Sequence, residues 1–362
     1  MSLAHNISPK TGLTTWLPRQ RVPALDGIRA LAIILVVACH AQVFLKLLSG
    51  RLAYFCTEMA WSGVYLFFVL SGYLIGRLAL SEVAATGRIR TLAFWGRRSL
   101  RTWPLYFLAL FGNYFVLPPL GDSRMPALYR FMTFTQVFSR INYFVESWTL
   151  CVEEQFYLVL SIFFLVVVWF VGAKRIGGAC VLVMTFSYVF RFRYGFMPHP
   201  AATLDSLFMG VFIAHLDQAQ SAGFVFVWKW PWVTMLTGVG IFCLAFALGG
   251  RHWPQCQGLL SIAFGLILVS ALNPISLWST FLSSRILRIV ALSSYSTYLT
   301  HVLALRCLGH LGFAPHASSQ FLAEILFVGA SIITFVVGWM VYRLVERPML
   351  SLREVVLPRE VA

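Results

Sequence analysis

From residue 28 to residue 342 the chain is a succession of apolar runs separated by short gaps. Each run is close to the roughly 17–25 residues a helix needs to cross a bilayer. They lie near 28–48, 61–80, 103–119, 150–172, 176–192, 200–216, 231–249, 257–273, 290–309 and 320–342. Charged residues make up only 11% of the chain, against roughly 25% in an ordinary soluble domain. So little charge cannot cover a water-facing surface, which excludes a soluble enzyme, a coiled coil and a disordered chain. The expected fold is an all-α integral membrane protein of about ten transmembrane helices. Two runs carry the weaker signal: 103–119 is short, and 200–216 contains Asp205. Pro104, at the start of the third run, suits the first turn of a helix.

Lys and Arg total 28 against 13 acids, a net +15. In a soluble protein that excess points to nucleic acid; here the cations fall in the gaps, as topogenic Lys and Arg do, so no nucleic-acid partner is expected. Arg88, Arg90, Arg97, Arg98 and Arg101 precede the third run, and Lys174 and Arg175 follow the fourth. Arg285 and Arg288 precede the ninth, and Arg343, Arg347 and Arg353 follow the tenth. With the basic segment of Lys10, Arg19 and Arg21 inside, all of these are cytoplasmic and so are both termini. Arg124, Arg130, Arg140, Arg191 and Arg193 are exceptions. Arg outnumbers Lys by 24 to 4, and its planar fork of donors suits phosphate and carboxylate groups. No secretory signal is expected, and Val36-Val37-Ala38-Cys39 is read as part of a retained helix rather than a lipoprotein processing site. The seven cysteines contain no C-x-x-C pair and no zinc spacing, so no metal site is expected. Cys56 and Cys256 both fall in loops expected outside, which leaves their pairing open.

Ionisable residues inside the bilayer are costly and are functional candidates by default. Arg29 and His40 are 11 residues apart, which returns them to within about 20° of one helix face with about 16 Å of rise. That face presents a cation at the inner surface and an imidazole deep in the membrane; the structural alternative is a snorkelling Arg29 and a His40 that caps a carbonyl. Glu153 and Glu154 enter the fourth run side by side, pointing about 100° apart, so one of them faces the interior. Glu153 shares its face with Thr149 and Tyr157. An interfacial acid pair is the structural alternative. Arg98 and Arg101 share one face of any helix that carries them, as anchors or as a site. His301 lies 13 residues past Arg288, and His40 lies 13 past Gly27, so the two imidazoles are expected at similar depth. Tyr298 shares the face of His301, although Tyr and Thr hydroxyls also glue membrane helices together.

The order of these signals resembles the acyltransferase 3 family of integral membrane acyltransferases, over Leu25 to Pro348. Leu25-Asp26-Gly27-Ile28-Arg29-Ala30-Leu31-Ala32 followed by His40 is similar to the family's opening block. Gly63 through Ile75 resembles its second-span block, and Arg98-Ser99-Leu100-Arg101 its two-arginine motif. Ser147-Trp148-Thr149-Leu150-Cys151-Val152-Glu153-Glu154-Gln155-Phe156-Tyr157 resembles its fourth block, and Tyr342 through Pro348 its closing segment. Three positions depart from the pattern. Tyr65 stands where the family usually has Asp, Thr149 replaces a usual Ser, and Thr203 replaces an Arg before Asp205, leaving that acid without its expected neighbour.

The resemblance implies a cytoplasmic segment 1–24, a membrane acyltransferase unit 25–348 and a cytoplasmic tail 349–362. It implies transfer of an acyl group, most often acetyl from acetyl-CoA, to a hydroxyl of a carbohydrate at the bacterial inner membrane. The carbohydrate would be a cell-surface polysaccharide, a lipopolysaccharide or a secreted oligosaccharide. In that reading Arg29, Arg98 and Arg101 hold the phosphates of CoA, His40 is the base or acyl carrier, and Glu153 orients the imidazole. Asp26, Ser147, Trp148, Glu154, Tyr157, Asp205, Tyr298 and His301 take supporting or substrate-binding places. The alternative from another class is a transporter or flippase for a glycan or anionic substrate; within the enzyme class it is a succinyl or longer acyl donor, or a non-carbohydrate acceptor. Acceptor specificity is expected in the outer loops 118–146 and 250–257.

Overall fold

The computed structural model describes residues 22–87, 89–116, 128–138, 144–172, 175–195, 199–313 and 319–356. Lys10, Arg19, Arg21, Arg88, Arg124, Arg140, Lys174 and parts of the expected outer loop 118–146 lie outside the described residues. The described residues form helices and no strand. Ten long α-helices follow the ten apolar runs: α1 Pro23–Leu45, α2 Gly63–Thr86, α3 Thr91–Val116, α4 Ser147–Val166 and α5 Ile176–Tyr194, then α6 Pro200–Gln218, α7 Pro231–Ala247, α8 Cys256–Ala271, α9 Ser294–His310 and α10 Gln320–Val341. By length and composition, five described segments can cross a membrane unaided: Pro23–Leu45, Gly50–Thr86, Ser147–Phe170, Ile176–Tyr194 and Gln320–Leu352. A sixth is added if Ala222–Lys229 and Pro231–Ala247, bent by 92° at their junction, count as one span.

Local chemistry explains most of these boundaries. Pro23, Pro200 and Pro231 open their helices, where a fixed φ is pre-organised and no amide donor is lost. Ser319 caps α10 by accepting from the Leu322 amide at 3.3 Å, and Gly87 ends α2 at φ 72°, a left-handed position that glycine takes without strain. Two expectations need correction. The third helix begins at Thr91, so Arg97, Arg98 and Arg101 belong to its first turns and Pro104 lies inside it rather than at its start. The apolar run at 290–309 is broken at Ser293, between Arg285–Leu292 and α9.

Burial separates central from peripheral helices. In α2 and the segment leading into it, 72% of the most apolar stretch is buried, against 28% in α5 and 22% in α10. The outer pair carry exposed Leu182, Phe186, Phe192, Phe321, Val328 and Ile332, as lipid-facing helices do when lipid is their solvent. The centre is drawn tight by small residues. A Cβ on Gly72 would strike the Leu207 carbonyl, and one on Gly210 would strike the Val69 carbonyl and the Tyr73 amide. α2 and α6 therefore meet backbone to backbone, as small-residue contacts permit in membranes. Gly72→Val is expected to lower the unfolding midpoint measured in detergent, with a stability loss of at least about 1–3 kcal/mol. Gly112→Ala, which enters open space, should leave that midpoint in place.

Candidate active site

The three arginines singled out in the sequence come together. Arg29 from α1 and Arg98 and Arg101 from α3 line one cavity of about 830 Å³, counting its open mouth, with Glu153 and Tyr157 from α4 on the facing wall. Ser71 of α2 donates to one Glu153 oxygen at 2.9 Å, and the Tyr157 hydroxyl approaches the other at 3.4 Å. Glu154, one residue on, faces elsewhere and accepts from Thr102 at 2.9 Å, so the two acids part as their helical spacing predicts. Asp26 sits 3.8 Å from Arg29. A carboxylate that sequence spacing did not single out joins this group: Glu346, after α10, is buried, accepts from Ser296, and lies within electrostatic reach of Arg101 and Arg29. Its signals in the sequence are an acid beside Arg347 at the close of a very apolar run and its place in the closing segment Tyr342 through Pro348.

The far end of the cavity is closed by Thr149 and Tyr298, whose hydroxyls are 2.6 Å apart. Beyond them lies a histidine pair. The Tyr298 and His301 rings are 5.5 Å apart, and the His301 and His40 rings 4.8 Å apart at 74°. His301 Nδ1 is 2.7 Å from the Tyr298 carbonyl. A carbonyl only accepts, so Nδ1 carries the proton and Nε2 offers a lone pair. That Nε2 is 3.3 Å from His40 Nδ1, which is also 3.0 Å from the Val36 carbonyl. Both neighbours are acceptors, so the His40 proton resides on Nδ1 and its Nε2 is left as the basic nitrogen of the neutral ring. His301 is fully buried and His40 partly so. The expected contact between Glu153 and His40 is not among these bonds. Glu153 bonds to Ser71 and Tyr157, and it is His301 that touches the His40 ring.

The remaining candidates are placed around this core. Ser147 donates to the Phe144 carbonyl at 2.6 Å, and Trp148 packs edge-on to Phe68 at 5.9 Å; both shape the start of α4. Glu146, just before that helix, is 1% exposed, and neither of its carboxylate oxygens has a hydrogen-bond partner. Asp205 lies outside the basic cavity, and the neighbour it lacks in sequence reaches it from another helix. Arg191 of α5, fully buried, donates to it at 2.6 Å. This also explains an arginine that broke the loop-charge pattern. Cys56 and Cys256 are both buried free thiols, so they are not bridged. Among the described residues, no group of three or more His, Cys, Asp or Glu is placed to hold a metal ion.

The model of the acyltransferase domain family 3 matches residues 22–343, a stretch that contains every residue lining the basic cavity and both histidines. The chain belongs to the acyltransferase 3 family. Among its relatives, a protein of Listeria monocytogenes named peptidoglycan O-acetyltransferase OatA is 27% identical over 80% of this chain and 50% of its own length. An O-acetyltransferase OatA of Staphylococcus aureus is 28% identical over 77% of this chain and 50% of its own. A putative O-acetyltransferase of the same species is 24% identical over 93% of this chain and 58% of its own. This acyltransferase 3 chain thus spans about half the length of the curated relatives it matches. No solved structure matches it.

The buried ion pair makes a test of the packing. Arg191→Leu leaves Asp205 buried without its charge partner, for which a loss of about 3–5 kcal/mol is expected. Thermal unfolding in detergent should show that loss, and Asp205→Leu added to it should restore most of it.

Proposed function

We propose that this chain is a membrane-embedded O-acyltransferase that moves an acyl group, acetyl in the simplest case, from acyl-CoA to a hydroxyl of a carbohydrate. The observation that carries the reading is one cavity lined by three arginines and by the Thr149–Tyr298 hydroxyl pair, with the Tyr298 ring against His301 and His301 against His40. Guanidinium groups form strong, often bidentate hydrogen bonds to phosphate, which suits the nucleotide end of CoA. Phe67, Val64 and Leu150 in the same lining suit a flexible, mostly apolar arm that carries a thioester. The relatives named as O-acetyltransferases, one of them for peptidoglycan, favour acetyl as the group and a glycan as the acceptor.

The chemistry follows from the tautomers. His40 Nε2 takes the proton of the acceptor hydroxyl as that oxygen attacks the thioester carbonyl; a C–O bond forms, the C–S bond breaks, and the CoA thiolate leaves to be protonated. If His40 instead carries the acyl group, Nε2 itself attacks first and the acceptor hydroxyl displaces it in a second step. His301 holds the ring by accepting from Nδ1, the place a carboxylate takes in a hydrolase triad. Glu153 assists from the cavity, fixing Ser71 and Tyr157 and offsetting the arginines beside the donor. In this reading Glu154 and Asp26 are supporting groups, residues 25–348 are the acyltransferase unit, and the chain spans the inner membrane of a bacterium about ten times. The arginine end of α1 and both termini then face the cytoplasm, where acyl-CoA is made.

Membranes that hold the full chain, incubated with acetyl-CoA labelled on the acetyl group, are expected to transfer label to glycan. His40→Ala should reduce that transfer by roughly 10²–10⁴-fold, the usual contribution of a general base. Equal labelling in wild type and His40→Ala would end the mechanism. Arg101→Ala is expected to raise the KM for acetyl-CoA about tenfold or more, one to two charge-assisted hydrogen bonds' worth, with a much smaller change in kcat.

A further inference from the structure

A second cavity, of about 820 Å³ with its mouth, lies between α5, α6, α8 and the segment that precedes α8. It shares no lining residue with the basic cavity. Its floor is the Arg191–Asp205 pair with Ser261, which donates to Asp205 at 3.2 Å. Trp253 and Tyr188 supply ring surface, and Gln255 supplies an amide. Gln255 is 6% exposed, and its Oε1 has no hydrogen-bond partner; Nε of the fully buried Arg191 has none either. Polar atoms buried without partners are costly, and the Gln255 oxygen, on a side chain that lines this cavity, is one that a donor group on a ligand would satisfy. Position 258 adds room. A Cβ on Gly258 would come within 3.3 Å of Arg191 Nη2 and 3.6 Å of the Tyr188 ring.

The chemistry of the lining selects the ligand. The Arg191 charge is neutralised by Asp205, so the cavity has little to offer a phosphate or a nucleotide, unlike the three-arginine cavity. It has the unpartnered amide oxygen of Gln255, the edge of a carboxylate already held by Arg191 and Ser261, and two aromatic rings among the apolar side chains of Met184, Met209 and Leu259. Small-molecule sites of this kind fix orientation with a few placed polar groups. A sugar ring matches both halves, with C–H faces for the aromatics and adjacent hydroxyls for the polar set. The position fits as well. Arg251, at the start of the segment that carries Trp253 and Gln255, donates to the Thr57 carbonyl at 3.0 Å and pairs with Glu58 at 3.4 Å. Thr57 and Glu58 belong to the short helical segment Phe55–Met59 between α1 and α2, so this mouth is tied to the Leu45 end of α1. Cys39, next to His40, lies within electrostatic reach of the same Arg251. The arginine cavity opens at the Arg29 end.

We propose that this second cavity is the acceptor site, binding a saccharide through Trp253, Tyr188, Gln255 and Asp205 on the opposite side of the bundle from the acyl donor. The proposal rests on the acyltransferase reading above and adds where the acceptor sits and what recognises it. The test uses the full chain in nanodiscs, with muramidase-solubilised peptidoglycan fragments as the acceptor probe. Trp253→Ala and Gln255→Ala should each raise the KM for the glycan tenfold or more, while the KM for acetyl-CoA stays within twofold. In saturation-transfer NMR without acetyl-CoA, the wild-type protein should mark the sugar protons, and Trp253→Ala should abolish that signal. An unchanged glycan KM in both variants, an equal rise in both substrates' KM, or transfer to lipid headgroups in place of sugar would each overturn the assignment. If wild type acetylates no glycan yet marks sugar protons through Trp253, the acyltransferase reading falls while the saccharide site stands. If it marks none, the site falls by itself.

Discussion

A guanidinium or carboxylate placed among apolar helices costs several kcal/mol unless it is paired or hydrated, and much of the arrangement of this bundle answers that demand. Arg191 and Asp205 pull α5 and α6 together, and Ser187 and Ser261 extend the link to α8. Glu346 is held by Ser296 and by the field of Arg29 and Arg101, which ties the end of α10 to α9. Glu153 has Ser71, Tyr157 and the arginines across the cavity. Several of these polar contacts join different helices, that of Ser71 with Glu153 across eighty-two residues of sequence. In an interior where lipid and leucine are equally apolar, such contacts specify which helices adjoin.

The same demand decides how much of the molecule was legible in its sequence. The all-helical character and the order of the helices could be read from the apolar runs, whereas the ten spans expected from them stand against five or six described segments able to cross a membrane unaided. The shared face of Arg29 and His40, and the divergence of Glu153 from Glu154, could be read because helical periodicity fixes angles within one element. Partners across helices could not. Periodicity places Tyr157 beside Glu153, which holds, but it is silent on Ser71, eighty-two residues away. It is equally silent on His301 as the group that meets His40, although matching depth came close to it. Arg191 looked like an error of topology because loop counting treats every arginine as an anchor, whereas its function in the fold is to neutralise Asp205. Counting apolar residues also begins a helix too late when its first turns are basic, which is why Arg97, Arg98 and Arg101 of α3 were expected in the gap before the third span rather than in the span's own helix.

The histidine pair shows how a site can be assembled from ordinary membrane-helix contacts. Two backbone carbonyls, those of Val36 and Tyr298, each accept a ring proton, and that alone is enough to fix both tautomers. No charged group is needed at the ring, which in this apolar setting would itself have to be compensated. The resemblance put the Glu153 carboxylate at the imidazole; the group against the His40 ring is the imidazole of His301.

The glycine contact between α2 and α6 has a bearing on both cavities. With Gly72 against the Leu207 carbonyl and Gly210 against that of Val69, the two helices leave no room between them for one added methyl group. Ser71, on the wall of the basic cavity, adjoins this seam on one side, and Asp205, on the floor of the other cavity, lies near it on the other. One seam thus borders a wall of each compartment, and bulk added to either glycine would push on Ser71 and Asp205 together, so the shapes of the two cavities are set by the same pair of residues.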